Sequence, residues 1–258
     1  QEEINVAYAD ALASADNHVV IKNAAKEIAW SKGRALTFMA KYDDRAAGSS
    51  SHVHQSLRTL DGAPAFHDPE AEHGMSTLMR RYLAGLLAHA SEITWFLAPY
   101  VNSYKRFAAG TFAPTKAIWS VDNRTAGYRL VAAGGRSVRV ECRVGGADLN
   151  PYLAYAAQIA AGIDGIEREL ELEPEFKGDA YAAARAREIP TNLRDAADAL
   201  GLRFDAGLRY RAPFGLYGGA AFEYVRYGAT YRVVGGDRDD STSVDKFTRF
   251  AFTVGYAY

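Results

Sequence analysis

The stretch "GSSSHVHQSL" sets His52 and His54 two residues apart and Ser56 at the same interval. In an extended chain, side chains at i, i+2 and i+4 share one face. These three would then point together, with Val53, Gln55 and Leu57 behind them. Paired imidazoles can hold a metal, but the pair alone fits an ordinary strand as well. A second alternating stretch supplies context. In "SVRVECRV", Val138, Val140, Cys142 and Val144 form an apolar face, while Ser137, Arg139, Glu141 and Arg143 share the other. A carboxylate flanked by guanidiniums is either a surface ion-pair ladder or a charged site. The opening "EEINV" similarly turns Glu3 and Asn5 to one side, and arginine recurs as Arg106, Arg124 and Arg129 in "NSYKRF" and "DNRTAGYR". Planar guanidinium forks bind carboxylate and phosphate oxygens bidentately. Imidazole and carboxylates beside clustered arginines describe a metal–phosphate site better than a hydrolase triad. Neither a GxxxxGK(S/T) loop nor a GxGxxG fingerprint is present, so any nucleotide must be held another way.

The elements that position these residues are mixed. "DNHVVIKNAAKEIAWSKG" reads as a helix capped by Asp16 or Asn17 and closed at Gly33. "STLMRRYLAGLLAHASEITWFLAP" keeps Leu78, Tyr82, Leu86 and Ile93 near helical period and stops before Pro99. "NPYLAYAAQIAAGIDGIEREL" carries Asn150 as cap and Pro151 at the first helical position. A loop around Pro174 and Gly178 leads to a shorter helix, "TNLRDAADALGL".

Composition changes near Arg203. All six histidines, all three tryptophans and all three methionines precede it, whereas the last 55 residues hold seven of 16 tyrosines and six of 12 phenylalanines. Beyond that point the expectation is all β. Phe204, Ala206, Leu208 and Tyr210 alternate with Asp205, Gly207, Arg209 and Arg211, and "RFAFTVGYAY" alternates bulky with small or polar residues. Such a pattern, ending on an aromatic, resembles the last strands of an outer-membrane β-barrel; a soluble antiparallel sheet reads the same way by periodicity. The expected division is residues 1–203 and residues 204–258, the second an unrelated, chimeric tail.

Net charge is −1, with no basic run to suggest a nucleic-acid surface. One cysteine excludes an internal disulfide framework and fits a reducing compartment. No apolar run is long enough for a membrane helix. Gln1 opens directly into alternation, so the sequence is expected to start inside a domain.

In order and spacing, "GSSSHVHQSL", "NSYKRF", "APT", "DNRTAGYR", "RVECRV" and "NPYLAYAAQIAAGIDGI" resemble the glutamine synthetase catalytic domain over residues 1–203. The first motif is most similar to the γ-glutamyl–amine and γ-glutamylpolyamine synthetase branch. The resemblance implies an α+β fold, an antiparallel sheet with packed helices, followed here by the β-rich segment. It implies a ligase that phosphorylates the γ-carboxylate of glutamate with ATP, an amine or ammonia then displacing phosphate. By position, Glu3, His52 and Glu141 match metal ligands for Mg²⁺ or Mn²⁺. His54, Ser56, Arg124 and Arg129 match ATP-contacting residues. Arg106 and Arg143 match arginines that hold glutamate and the transferring phosphoryl group, and Gly48 matches a glutamate-contacting glycine. Phe112 stands where ammonia-using members carry a glutamate, which points to an organic amine or polyamine. The family's other metal-binding glutamates would precede Gln1, and its closing helices are replaced by the tail. The implied protein is a cytoplasmic homo-oligomer. The alternative is an outer-membrane barrel terminus fused to an inactive enzyme fragment, which alone would meet a membrane.

Overall fold

The computed structural model describes residues 2–201 in full and residues 202–207, 216–221 and 251–256 as backbone. It divides into two compact units, Gln1–Ala196 and Ala197–Tyr258.

The first helix, α1 (Ala11–Ser31), starts earlier than its pattern predicts. Asp10, not Asp16 or Asn17, is the cap, its carboxylate accepting from Ala13 N at 2.9 Å. The alanine-rich first turn needs only one such acceptor to nucleate. The far end is as expected: Gly33, at φ 65, donates to Trp30 O, and Arg34 N returns to Ala29 O. Residues 2–10 form no strand. Alternation alone does not make one without a neighbour to take its backbone hydrogen bonds.

A four-stranded sheet holds the chemistry-bearing residues. Its strands are β1 (Val53–Gln55), β2 (Trp119–Val121), β3 (Tyr128–Val131) and β4 (Arg139–Cys142), in the order β1-β4-β3-β2. β4 is antiparallel to β1 and β3, but β2 runs parallel to β3, so the sheet is mixed rather than antiparallel. Residues 122–127 carry the chain back beside the start of β2, with Asp122 turning it at φ 49.

One sheet face packs on helices. Val53, Tyr128, Val140 and Cys142 are buried there among Met79, Leu83, Leu86 and Leu87 of α2 (Thr77–Ala88) and Ile93 and Leu97 of α3 (Ala90–Leu97). The sequence reads as one helix through this stretch; the structure breaks it at His89 (φ −101, ψ 11). Across it lies α5 (Pro151–Glu167), capped by Asn150 Oδ1, which accepts from Tyr152 N and Leu153 N. Glycine permits the crossing. A Cβ on Gly85 would lie 2.1 Å from Ala161 O, and one on Gly165 2.6 Å from Gly85 Cα. A buried polar chain ties β1 to both helices: Tyr82 OH donates to Gln55, and Gln55 Nε2 donates to Gln158, each at 2.7 Å. The short α4 (Val101–Tyr104) precedes Arg106.

The last helix, α6 (Leu193–Gly207), runs through residues 204–207, where a strand is expected from the sequence. Extending an existing helix adds one hydrogen bond per residue fixed, so propagation is cheaper than starting a strand. The remainder of that predicted strand lies outside the described residues. β5 (Leu216–Ala221) and β6 (Ala251–Tyr256) pair antiparallel, β6 falling within the expected final strand. The other tail residues on which the barrel reading rests lie outside the described residues. Among the described residues no helix is long and apolar enough to cross a membrane.

Candidate functional site

Strand register brings the charged residues into one row. Ser120 lies opposite Arg129, Arg129 opposite Glu141, and Glu141 opposite His54. Directly opposed residues share a face, so the pleat that buries Cys142 and Val140 turns Glu141 away from the helices. Glu141 is nevertheless only 3% exposed, because cations close over it. Arg143 Nη1 donates to Oε1 at 2.9 Å and Arg129 Nη1 to Oε2 at 3.2 Å. His52 Nδ1 stands 3.1 Å from Oε1, and His54 Nε2 3.8 Å from it. Burial pushes the Glu141 carboxyl up, but the His52 hydrogen bond and the charge of Arg143 outweigh it and hold it at about 2. Burial lowers His54 against the pull of Glu141, which favours the neutral imidazole at neutral pH. The surface-ladder reading of "RVECRV" does not fit a carboxylate this enclosed.

The remaining arginines differ in setting. Arg129 is shared with Asp122, Nη2 donating to Oδ1 at 2.8 Å. Arg124 is exposed, while its carbonyl accepts from Arg143 Nε at 3.1 Å. Arg106 is 3% exposed; it donates to Val144 O and lies 5.1 Å from the Phe107 ring. Its Nε has no hydrogen-bond partner. Burial draws this guanidinium down to about 10, against the raising charge of Asp148, so it stays charged at neutral pH. Gly48 lies directly on it: a Cβ there would be 2.4 Å from Arg106 Cγ. Ser56 is exposed beyond β1. Glu3 is exposed in residues 2–10 and forms no ion pair with a described residue, so it does not join His52 and Glu141.

Phe112 sits beside this row. It has φ 57 and is 60% exposed, on a cleft of about 580 Å³ also lined by Ser120, Val121, Arg124, Glu175 and Lys177. Its peptide is held from two sides. Arg143 Nη2 donates to Phe112 O at 3.5 Å, and Tyr181 OH donates to Ala113 O at 3.0 Å. The opposite wall is stitched to the turn after β2, Asn123 Nδ2 donating to Gly178 O and Ala180 N to Thr125 Oγ1. Asp122 and Tyr181 do not stand out in the sequence. "DNRTAGYR" contains the aspartate, but nothing local ties it to Arg129, and nothing near Tyr181 signals its bond to Ala113.

For a divalent metal, one imidazole and a carboxylate oxygen are suitable donors for Mg²⁺ or Mn²⁺. Their 3.1 Å separation matches neighbouring corners of an octahedron with bonds of roughly 2.1 Å. They supply only part of a shell: among the described residues no group of three or more His, Cys, Asp or Glu is arranged to hold a metal.

The glutamine synthetase catalytic-domain family model matches residues 1–205. The γ-glutamylethanolamide synthetase of Streptomyces coelicolor is 48% identical over 198 residues, covering 77% of this chain and 42% of that protein. The glutamate–isopropylamine ligase of a Pseudomonas species is 42% identical over 199 residues, 76% of this chain and 43% of that one. Among solved structures, a GmaS–ADP complex superposes with a TM-score of 0.71 at 36% identity, covering 76% of this chain and 46% of that one. The chain thus spans a little under half the length of the relatives it matches. With the motifs, the charged row and a family match over most of its length in agreement, this chain belongs to the glutamine synthetase catalytic-domain family.

Proposed function

We propose that this domain serves an ATP-dependent ligase that joins an organic amine to the γ-carboxylate of glutamate through γ-glutamyl phosphate. The observation that carries the reading is the convergence of His52, Arg129 and Arg143 on the buried Glu141. A carboxylate held ionised among fixed guanidiniums is a preorganised place for phosphoryl chemistry, where positioning and charge stabilisation do most of the work. His52 and Glu141 would hold a divalent cation, which when bound would neutralise phosphate charge. Arg124 and Arg129 would contact the ATP phosphates, with His54 and Ser56 on the nucleotide side. Arg143, braced by Glu141 and by the carbonyls of Arg124 and Phe112, would face the transferring phosphoryl group. Arg106, against Gly48, would hold glutamate.

The acceptor reading rests on Phe112. A carboxylate at this position could attract ammonium and remove its proton; a phenyl ring cannot. The ring offers instead apolar surface, at roughly 25 cal/mol per Å² buried. The ethanolamide- and isopropylamine-forming activities named for two relatives support the same direction. Phosphate release with ATP, glutamate and a panel of amines tests it. An organic amine should give the highest kcat/KM, and ammonia in first place would replace the proposal with plain glutamine synthesis. Assembly into a homo-oligomer, a cytoplasmic location and a separate origin for residues 204–258 remain proposals carried by the family resemblance and the compositional change.

A further inference from the structure

Gly48 and Arg106, the residues proposed to hold glutamate, are brought together by side chains that the reaction itself does not use. Residues 40–49 form a loop closed at its base, where Ser49 N donates to Ala40 O at 2.8 Å. Lys41 Nζ closes it again from within, donating to Ala46 O at 2.5 Å. Gly48 sits at that closure, where a Cβ would lie 2.7 Å from Ala40 O as well as 2.4 Å from Arg106 Cγ. Two anchors tie the loop to its surroundings. Near one end, Ala147 N donates to Ser49 O at 3.0 Å. Near the other, the Asn102 carboxamide takes both backbone groups of Lys41. Lys41 N donates to Oδ1 at 2.9 Å, and Nδ2 donates to Lys41 O at 2.8 Å.

Two paired strands make the same exchange; here a side chain supplies it. A carboxamide can do so because it carries an acceptor and a donor in one plane, whereas an aspartate would set a second oxygen against Lys41 O. Asn102 lies on α4, which leads into Arg106. Its neighbour Ser103, fully buried, donates to Asp148 Oδ2 at 2.8 Å, beside the Ala147 anchor. The loop, α4 and residues 147–148 therefore form a closed circuit that fixes Gly48 against Arg106. A misplacement of about 1 Å in such a support can cost on the order of a hundredfold in catalysis. Losing two hydrogen bonds at the far end of the loop should cost less than that, but well above the error of a binding measurement.

We infer that Asn102 is a positioning residue for glutamate, holding Gly48 at the distance from Arg106 that the substrate requires. The inference rests on the ligase reading and adds to it a residue that touches no substrate. The test is glutamate binding by calorimetry in the native chain, Asn102→Ala, Asn102→Asp, Gly48→Ala, the Asn102→Ala/Gly48→Ala pair and Arg106→Met. Circular dichroism and urea unfolding establish that each is folded at the temperature used. Asn102→Ala should weaken glutamate binding about tenfold, or 1.4 kcal/mol. Asn102→Asp keeps the shape but has no donor for Lys41 O, and should weaken it comparably. With Gly48 already displaced, adding Asn102→Ala should cost less than about twofold, because both changes act at one place. An asparagine with a merely structural role would cost the same factor in either background. Glutamate affinity unmoved by both Asn102 variants, equal losses in the two backgrounds, or unfolding of both variants would each overturn the inference. No glutamate bound by the native chain, or binding indifferent to Arg106→Met, defeats the glutamate assignment itself and the inference with it. Binding lost in Arg106→Met but kept in Asn102→Ala defeats only the inference drawn from Asn102.

Discussion

The charged row on the sheet and the Phe112 cleft are neighbours built on opposite plans. In the row, strand register fixes every partner, and Glu141 meets His52, Arg129 and Arg143 before any ligand arrives. In the cleft, backbone is what is fixed. Hydrogen bonds hold the carbonyls of Phe112, Ala113 and Gly178, while the Phe112 ring and Lys177 project unpaired. Preorganised charge suits a step common to every member of a family. A clamped backbone with free side chains suits the part that differs between them. Substitution in the row should therefore damage folding and chemistry together, whereas substitution in the cleft should redirect specificity with the fold intact.

Glu141→Gln should break that contrast most severely. It leaves Arg143, which is 5% exposed, without its counter-charge, and removing one partner of a buried pair costs about 3–5 kcal/mol. Urea unfolding should show that loss, and phosphoryl transfer should fall with it. Gly48→Ala comes next. A Cβ 2.4 Å from Arg106 Cγ and 2.7 Å from Ala40 O forces local displacement, expected at about 1–3 kcal/mol in the same assay, with weakened glutamate binding by calorimetry.

Acid gives a graded version of the first experiment. With its folded-state carboxyl at about 2, below the usual value, Glu141 stabilises the fold fully above the unfolded carboxylate range. That contribution is lost as pH falls from about 5 towards 2. The Tm difference between native chain and Glu141→Gln should shrink through this window. A constant difference would show that the charge does not matter to folding.

The smallest effects on the fold belong to the cleft. Phe112→Glu and Lys177→Glu change exposed side chains and should each shift stability by about 0.5 kcal/mol or less. Phe112→Glu, which restores a carboxylate, should move the acceptor preference towards ammonia. A cleft variant as destabilising as Glu141→Gln would erase the distinction between the two regions.

What could be read from the sequence was whatever a short-range rule dictates. Period-two alternation marks Val138, Val140 and Cys142 as core and Glu141 as facing away, because the pleat leaves no other choice. Asn150 and Gly33 mark helix ends through local hydrogen bonds. What escaped was decided at a distance. The break at His89, the parallel course of β2 and the pairing of Asp122 with Arg129 depend on neighbours brought together only by folding. The family motifs single out Arg106 only by resemblance, and nothing local says that its guanidinium is enclosed against Val144 and Phe107.

Cys142, the single cysteine, is fully buried under the charged row, and its thiol is pushed up to about 12, chiefly by burial. A thiol that is neither ionised nor accessible reacts only when the sheet opens. The native chain thus contains its own chemical clock: the rate at which a maleimide labels it reports how often the floor of the site comes apart. Ligands that tighten the row should slow that clock, giving a reading of occupancy that needs neither turnover nor an added probe residue.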